Sequence, residues 1–111
     1  MPHNAGPIHE AKAGLFRVLG HPARVRILEL LRDGERSVGA LQAELGLDSG
    51  GTSQHLAALR RIGLVESRRE GTSVYYRVAD ERVFELLAVG RGIIARRLAE
   101  QQSILKDLGP A

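Results

Sequence analysis

Apolar residues recur along this chain in two periods, and the change of period divides it. Ile8, Ala11, Leu15, Phe16 and Leu19 follow helical spacing, and Gly20 stops the run. His21-Pro22 opens a second helix with proline at its first position. Val25, Leu28 and Leu31 form its buried stripe, with Ile27 alongside, and Asp33-Gly34 ends it. Ser37 is a good N-cap for a short third helix, in which Val38, Leu41 and Leu45 face inward before Gly46 terminates it. After the tight link Gly46-Leu47-Asp48, a fourth helix runs from about residue 50 to 62 and stops at Gly63. From there the period is two. Residues 64–69 and 73–78 alternate, with Glu70-Gly71 between them, which predicts a β-hairpin. Asp80 is expected to cap a last helix over about 81–105, with Gly109-Pro110-Ala111 as a frayed end.

The order α-α-α-α-β-β-α is mainly α with a two-stranded β-hairpin. Two short helices joined by a tight turn and followed by a hairpin describe a winged helix-turn-helix. The 111 residues suffice for one domain with a modest core. Residues 1–14 are expected to form an N-terminal arm and the start of the first helix. Residues 15–105 form the domain, with dimerisation helices at both ends, and 106–111 a C-terminal tail.

The fourth helix carries the candidate chemistry. With Leu56 facing inward, Thr52, Leu59 and Gly63 group with it, while Gly50, Gln54, Ala57, Ala58 and Arg61 fall opposite. Ser53 lies on one flank; His55 and Ile62 share the other. A helix entering a DNA major groove needs short side chains where its backbone comes close, hydrogen-bonding groups at base edges and cations near phosphates. Gln54 suits adenine, Ser53 suits several groups, and Arg60 and Arg61 reach the backbone. Gly50 and Gly51 weaken the helix, but at its N-terminus they leave bare amides for a phosphate. The plain alternative is a solvated surface helix. His55, a lone histidine beside Ile62, is of a kind more often packed or capping than base-reading.

Arg68, Arg69, Glu70, Gly71 and Thr72 form the hairpin tip, which would lay arginines along an adjacent minor groove or phosphates. A charged turn that keeps strand edges soluble is the alternative. Of Tyr75 and Tyr76, one is expected in the core and the other against the hairpin base. In the last helix Val83, Leu86, Leu87, Gly90, Ile93, Ile94, Leu98 and Leu105 make a long apolar stripe, opposite Glu85, Gly92, Arg96, Ala99 and Ser103. Such a stripe either covers its own core or pairs two copies. The second reading is preferred, with Leu15, Phe16 and Leu19 of the first helix joining Val83, Leu87, Gly90, Ile94 and Leu98 at the interface.

Composition narrows the field. Without cysteine, disulfides, thiolate metal sites and thiol switches are excluded. The net charge is +3, and 14 of the 16 basic residues are arginine. A GC-rich genome gives that ratio, and so does contact with phosphates and guanine edges. No apolar run approaches the ~18 residues of a membrane span. The opening MPHNAGPIHEAKAG lacks a secretory pattern, so a cytoplasmic location is the simplest expectation. His3 and His9, with only Asn4 and Glu10 nearby and Pro2 lacking the amide of an amino-terminal copper motif, are read as a solvated tail. No metal or other cofactor is expected.

LGHPARVRILELL (19–31), SVGALQAELGL (37–47) and TSQHLAALRRIGLVESRREGTSVYYRV (52–78) together resemble the ArsR/SmtB family of bacterial transcriptional repressors, over roughly residues 15–80. The resemblance implies a homodimeric winged-helix repressor binding an inverted repeat in double-stranded DNA. It implies that Ser49, Gly50, Gly51, Ser53, Gln54 and His55 lie at the DNA surface. Several relatives carry polar side chains where this chain has Gly50 and Gly51, which leaves fewer base-reading groups here. Many relatives bind metal through cysteines of the third helix or through Asp, His and Glu of the last. The third helix here has neither Cys nor His, and residues 80–105 contain no His. The chain is similar to the cysteine-free actinobacterial members, and its inducer, operator and regulated genes are not disclosed by these motifs. The competing class is a winged-helix module that binds protein rather than DNA. An enzyme is a distant third, since no nucleophile, paired-carboxylate or phosphate-loop constellation has useful spacing.

Overall fold

The structure, a computed structural model, describes residues 6–109. Its elements are α1 (Gly6–Leu19), α2 (Pro22–Leu30), β1 (Arg36–Ser37), α3 (Val38–Leu45), α4 (Ser49–Arg61), β2 (Val65–Glu70), β3 (Ser73–Val78) and α5 (Arg82–Leu108). They fall into two compact units, one ending at Asp80 and the other starting at Glu81.

In the first unit the helices begin and end where side-chain chemistry dictates. Pro22 opens α2, where a missing N–H costs nothing. The Ser37 hydroxyl accepts the Ala40 amide at 3.1 Å and starts α3. Gly46 ends α3 in the left-handed conformation, φ +66°, which turns the chain toward α4 with only Leu47 and Asp48 between. The pair α3–α4 is the helix-turn-helix, and β2–β3 is the wing. Ile27, Leu28, Leu30 and Leu31 of the α2 region meet Leu41, Leu56, Leu59, Leu64 and Val65 in the core. Fully burying one such side chain stabilises by about 1.5–3 kcal/mol. Val25, Val38 and Leu45, expected inside, are only half-buried.

The hairpin is part of a three-stranded antiparallel sheet in the order β1-β3-β2. Arg36 pairs with Tyr76 and Ser37 with Tyr75, so the residues before α3 edge the wing. Two residues are too few to show a period, which is why the pattern predicts only two strands. The connection between β2 and β3 is Gly71-Thr72, one residue later than expected, and Gly71 takes φ +62°. Two-residue hairpin loops favour glycine for that reason. Tyr75 and Tyr76 are both half-buried, so neither is a core residue.

The second unit is α5. It begins at Arg82 rather than after an Asp80 cap. Glu81 stands at the N-cap in a helical conformation and offers no side-chain bond. The helix continues to Leu108, three residues past the expected end. Val83 is buried, whereas Val89, Ile93, Ile94, Leu98, Ile104, Leu105 and Leu108 are exposed. No helix among the described residues is long and apolar enough to cross a membrane.

Candidate nucleic-acid interface

α4 is anchored twice at Asp48. The Asp48 carboxylate accepts the Gly51 amide at 2.7 Å, and its carbonyl accepts the Thr52 hydroxyl at 2.9 Å. Thr52 is fully buried and has this bond as its polar outlet. The helix thus starts at Ser49, one residue earlier than its spacing suggests, because Asp48 supplies the cap. The Gly51 amide is consequently not bare: it is occupied by a carboxylate.

From that start the helix buries Thr52, Leu56, Ala58 and Leu59. Ala58, expected on the outer side, is packed, because α2, α3 and β2 all lie against α4. Exposed are Ser49, Gly50, Ser53, Gln54, Arg60 and Arg61, while Gly51, His55 and Ala57 are half-buried. No acidic side chain occurs within Ser49–Arg61. Arg60 Nη1 donates to Ser67 Oγ at 3.2 Å and ties the end of α4 to the wing. Arg61 and Arg69 have no ion-pair partner among the described residues.

His55 faces its own fold. Its Nδ1 accepts from Arg24 Nε at 3.0 Å, and Arg24 Nη1 donates to the Val18 carbonyl at 3.2 Å. The His21 ring lies 5.8 Å away, tilted by 51°. Desolvation, then the Arg24 and His21 charges, hold the His55 imidazole below its ordinary range. The packed role is therefore visible; Arg24, which sequence spacing does not single out, makes it.

Arg68 is also engaged. Its guanidinium donates to both Glu35 carboxylate oxygens, at 2.6 and 2.8 Å, and to Glu70 at 2.9 Å. It lies 4.7 Å from the centre of the Tyr75 ring. Arg77 pairs with Glu66, its neighbour across the strands. A cleft of about 460 Å³ separates the start of α3 from α4 and the wing, and hydroxyl-bearing Ser37, Ser53, Thr72, Ser73 and Tyr76 line much of it. The structure thus brings Ser53 and Thr72 to one cleft.

Of the residues assigned to an interface between copies, Leu15, Leu19, Leu87 and Gly90 are half-buried. Phe16, Ile94 and Leu98 are more than half exposed. Val83 retains only 4% of its surface, so little of it is left for a partner. Of the N-terminal histidines, His3 lies outside the described residues. Among those described, no three His, Cys, Asp or Glu side chains gather as a metal site would need.

The profile described as bacterial regulatory protein, arsR family, matches residues 21–67. A helix-turn-helix-type transcriptional regulator of Mycobacterium tuberculosis, Rv0081, is 47% identical over 103 residues, spanning 92% of this chain and 90% of that one. Its crystal structure superposes with a TM-score of 0.80 at 46% identity, covering 87% of this chain and 98% of that chain. The solution structure of the homodimeric winged helix-turn-helix DNA-binding domain of Mycobacterium bovis Mb0332 gives 0.73 at 36% identity, covering 88% and 94%. A biofilm growth-associated repressor of Agrobacterium fabrum is 40% identical over 73 residues, 66% of this chain and 62% of that protein.

Proposed function

The chain belongs to the arsR family of bacterial regulatory proteins, and from that premise we propose that it is a homodimeric transcriptional repressor that reads an inverted repeat through α4. Its role is regulatory rather than enzymatic. The observation that carries the reading is the outer face of α4. Ser49, Gly50, Ser53, Gln54 and Arg61 are exposed there, with no carboxylate on the helix to repel phosphate. Ser53 and Gln54 supply base-edge hydrogen bonds, Gly50 and Gly51 let the backbone come close, and Arg60 and Arg61 meet the phosphates. Arg69 and Thr72 extend the contact along the wing, and His55 borders it.

A twofold operator needs two recognition helices about one DNA turn apart. A second copy supplies the other helix. The exposed apolar side chains of α5, and Phe16 with Ile8 on α1, are surfaces of the kind a pairing of copies covers. As a repressor of bacterial genes it would work in the cytoplasm, beside the DNA.

The test is equilibrium binding and footprinting on the DNA upstream of the gene. A protected, twofold-symmetric site and affinity that falls steeply with salt support the proposal. A salt-tolerant complex with another protein, and no affinity for duplex, would assign the fold to protein recognition instead.

A further inference from the structure

The register of the wing sorts its charges onto two faces. Glu66, Arg68 and Glu70 of β2 alternate with Val65, Ser67 and Arg69. Ser67 accepts from Arg60 of α4 and Val65 is buried, so the second set shares the face turned to α4. Arg69 therefore emerges on the recognition-helix side, with no ion-pair partner among the described residues, and Arg68 on the other.

On that other face the charges satisfy one another. Glu35, Glu66 and Glu70 set three carboxylates against the two guanidiniums of Arg68 and Arg77. Arg68 reaches Glu35 only by crossing β3, because Glu35 precedes β1 and the strand order is β1-β3-β2. Its guanidinium crosses over the Tyr75 ring and ends in a fork on the Glu35 carboxylate. The next residue, Arg36, donates from Nε to the Leu30 carbonyl at 2.8 Å. Wing, Arg68, Glu35, Arg36 and the end of α2 thus form one continuous chain of interactions.

We propose that Arg68 is a positioning residue that clasps the wing to the α2–β1 loop through Glu35, while Arg69 alone carries the wing's charge to the duplex. This rests on the DNA-binding reading above and deepens it. The two-residue pairing of β1 with β3 is a weak hold on the wing, and the clasp spans the sheet beside it. A free Arg68 would add a cation for phosphate. A clasped one is surrounded by carboxylates and instead fixes the angle at which Arg69 and Thr72 are presented.

Binding of a mixed-sequence DNA duplex across a salt series distinguishes the two roles. Arg69→Ala lowers the salt slope by about 0.9 for each phosphate that the side chain had neutralised. Arg68→Ala and Glu35→Gln each weaken binding about two- to fivefold and leave the slope unchanged. Arg68→Lys, which keeps the charge and loses the fork, behaves as Arg68→Ala. Tighter or unaltered binding by Glu35→Gln, or a slope that falls in Arg68→Ala as it does in Arg69→Ala, would overturn the clasp. If the unmodified protein binds no duplex even at low salt, the DNA-binding reading itself fails. The clasp is then judged by amide exchange of residues 65–78 in the free protein. Exchange faster in Arg68→Ala and Glu35→Gln but not in Arg69→Ala upholds it, and equal exchange in all three overturns it.

Discussion

Removing the Asp48 side chain tests how the recognition helix is held. In Asp48→Ala the 2.7 Å bond to the Gly51 amide disappears, while the bonds from the Thr52 amide and hydroxyl to the Asp48 carbonyl remain available. The loss is therefore one charge-assisted cap at a helix N-terminus. Such a cap is worth about 1 kcal/mol, within a range of roughly 0.5–2. The carboxylate's interaction with the helix dipole lies within the same order. For a domain of about 100 residues, each kcal/mol moves the melting temperature by roughly 4–8 °C. Thermal unfolding followed by circular dichroism, at one fixed protein concentration because pairing adds concentration-dependent stability, reads this directly. At the central value of about 1 kcal/mol, Asp48→Ala should melt roughly 4–8 °C lower, and Asp48→Asn, which keeps an acceptor, should recover most of the difference. An alanine variant that melts with the unmodified protein would refute the cap as the device that starts α4.

Gln54→Ala should cost about 1–3 kcal/mol of discrimination between the footprinted operator and a scrambled duplex, read by competition binding; equal loss on both duplexes would remove Gln54 from base reading. Gly50→Ala should stabilise by up to about 1 kcal/mol, because its new Cβ meets only the Asp48 carboxylate at 3.8 Å. Gly51→Ala should gain less, since there the same oxygen is 3.1 Å away; denaturant unfolding of the two variants checks the order. Leu56→Ala, at a fully buried position, should cost about 2–5 kcal/mol in the same measurement. The His55 imidazole is held low in the folded chain, so below its ordinary range the unfolded state takes up the proton more readily. Its contribution is present above about pH 6.5 and is lost as pH falls through the lower folded value. Melting at pH 7.5 and pH 5 should therefore differ more in the unmodified protein than in His55→Gln, and an identical difference would discount the lowering of the His55 imidazole by burial and its charged neighbours.

Much of the framework is legible from local pattern alone. Leu28, Leu31, Leu41, Leu56 and Leu59 reveal their helices by period, and Ser37, Gly46 and Gly63 mark ends because caps and left-handed turns demand those residue types. Legibility fails where structure is made at a distance or without a period. β1 is two residues long and exists only because β3 pairs with it. Ala58 is buried because α4 is packed on more than one side, while a helical wheel assumes one buried face. Asp48, three residues before an amide it caps, is within reach of sequence logic, since an Asp before a helix is a common start signal. The site divides the same way. The exposed Ser53, Gln54 and Arg61 follow from helical geometry. The engagement of Arg68 by Glu35, 33 residues away, and of His55 by Arg24, 31 residues away, leaves no trace in spacing.

Whether α4 and the wing hold the duplex is read from amide hydrogen exchange of the protein alone and bound to a duplex from its own upstream region. Exchange should slow across 49–61 and around 69–73, with the rest of the first unit unchanged. A duplex held tightly while those two segments exchange as in the free protein, with protection elsewhere, would contradict it.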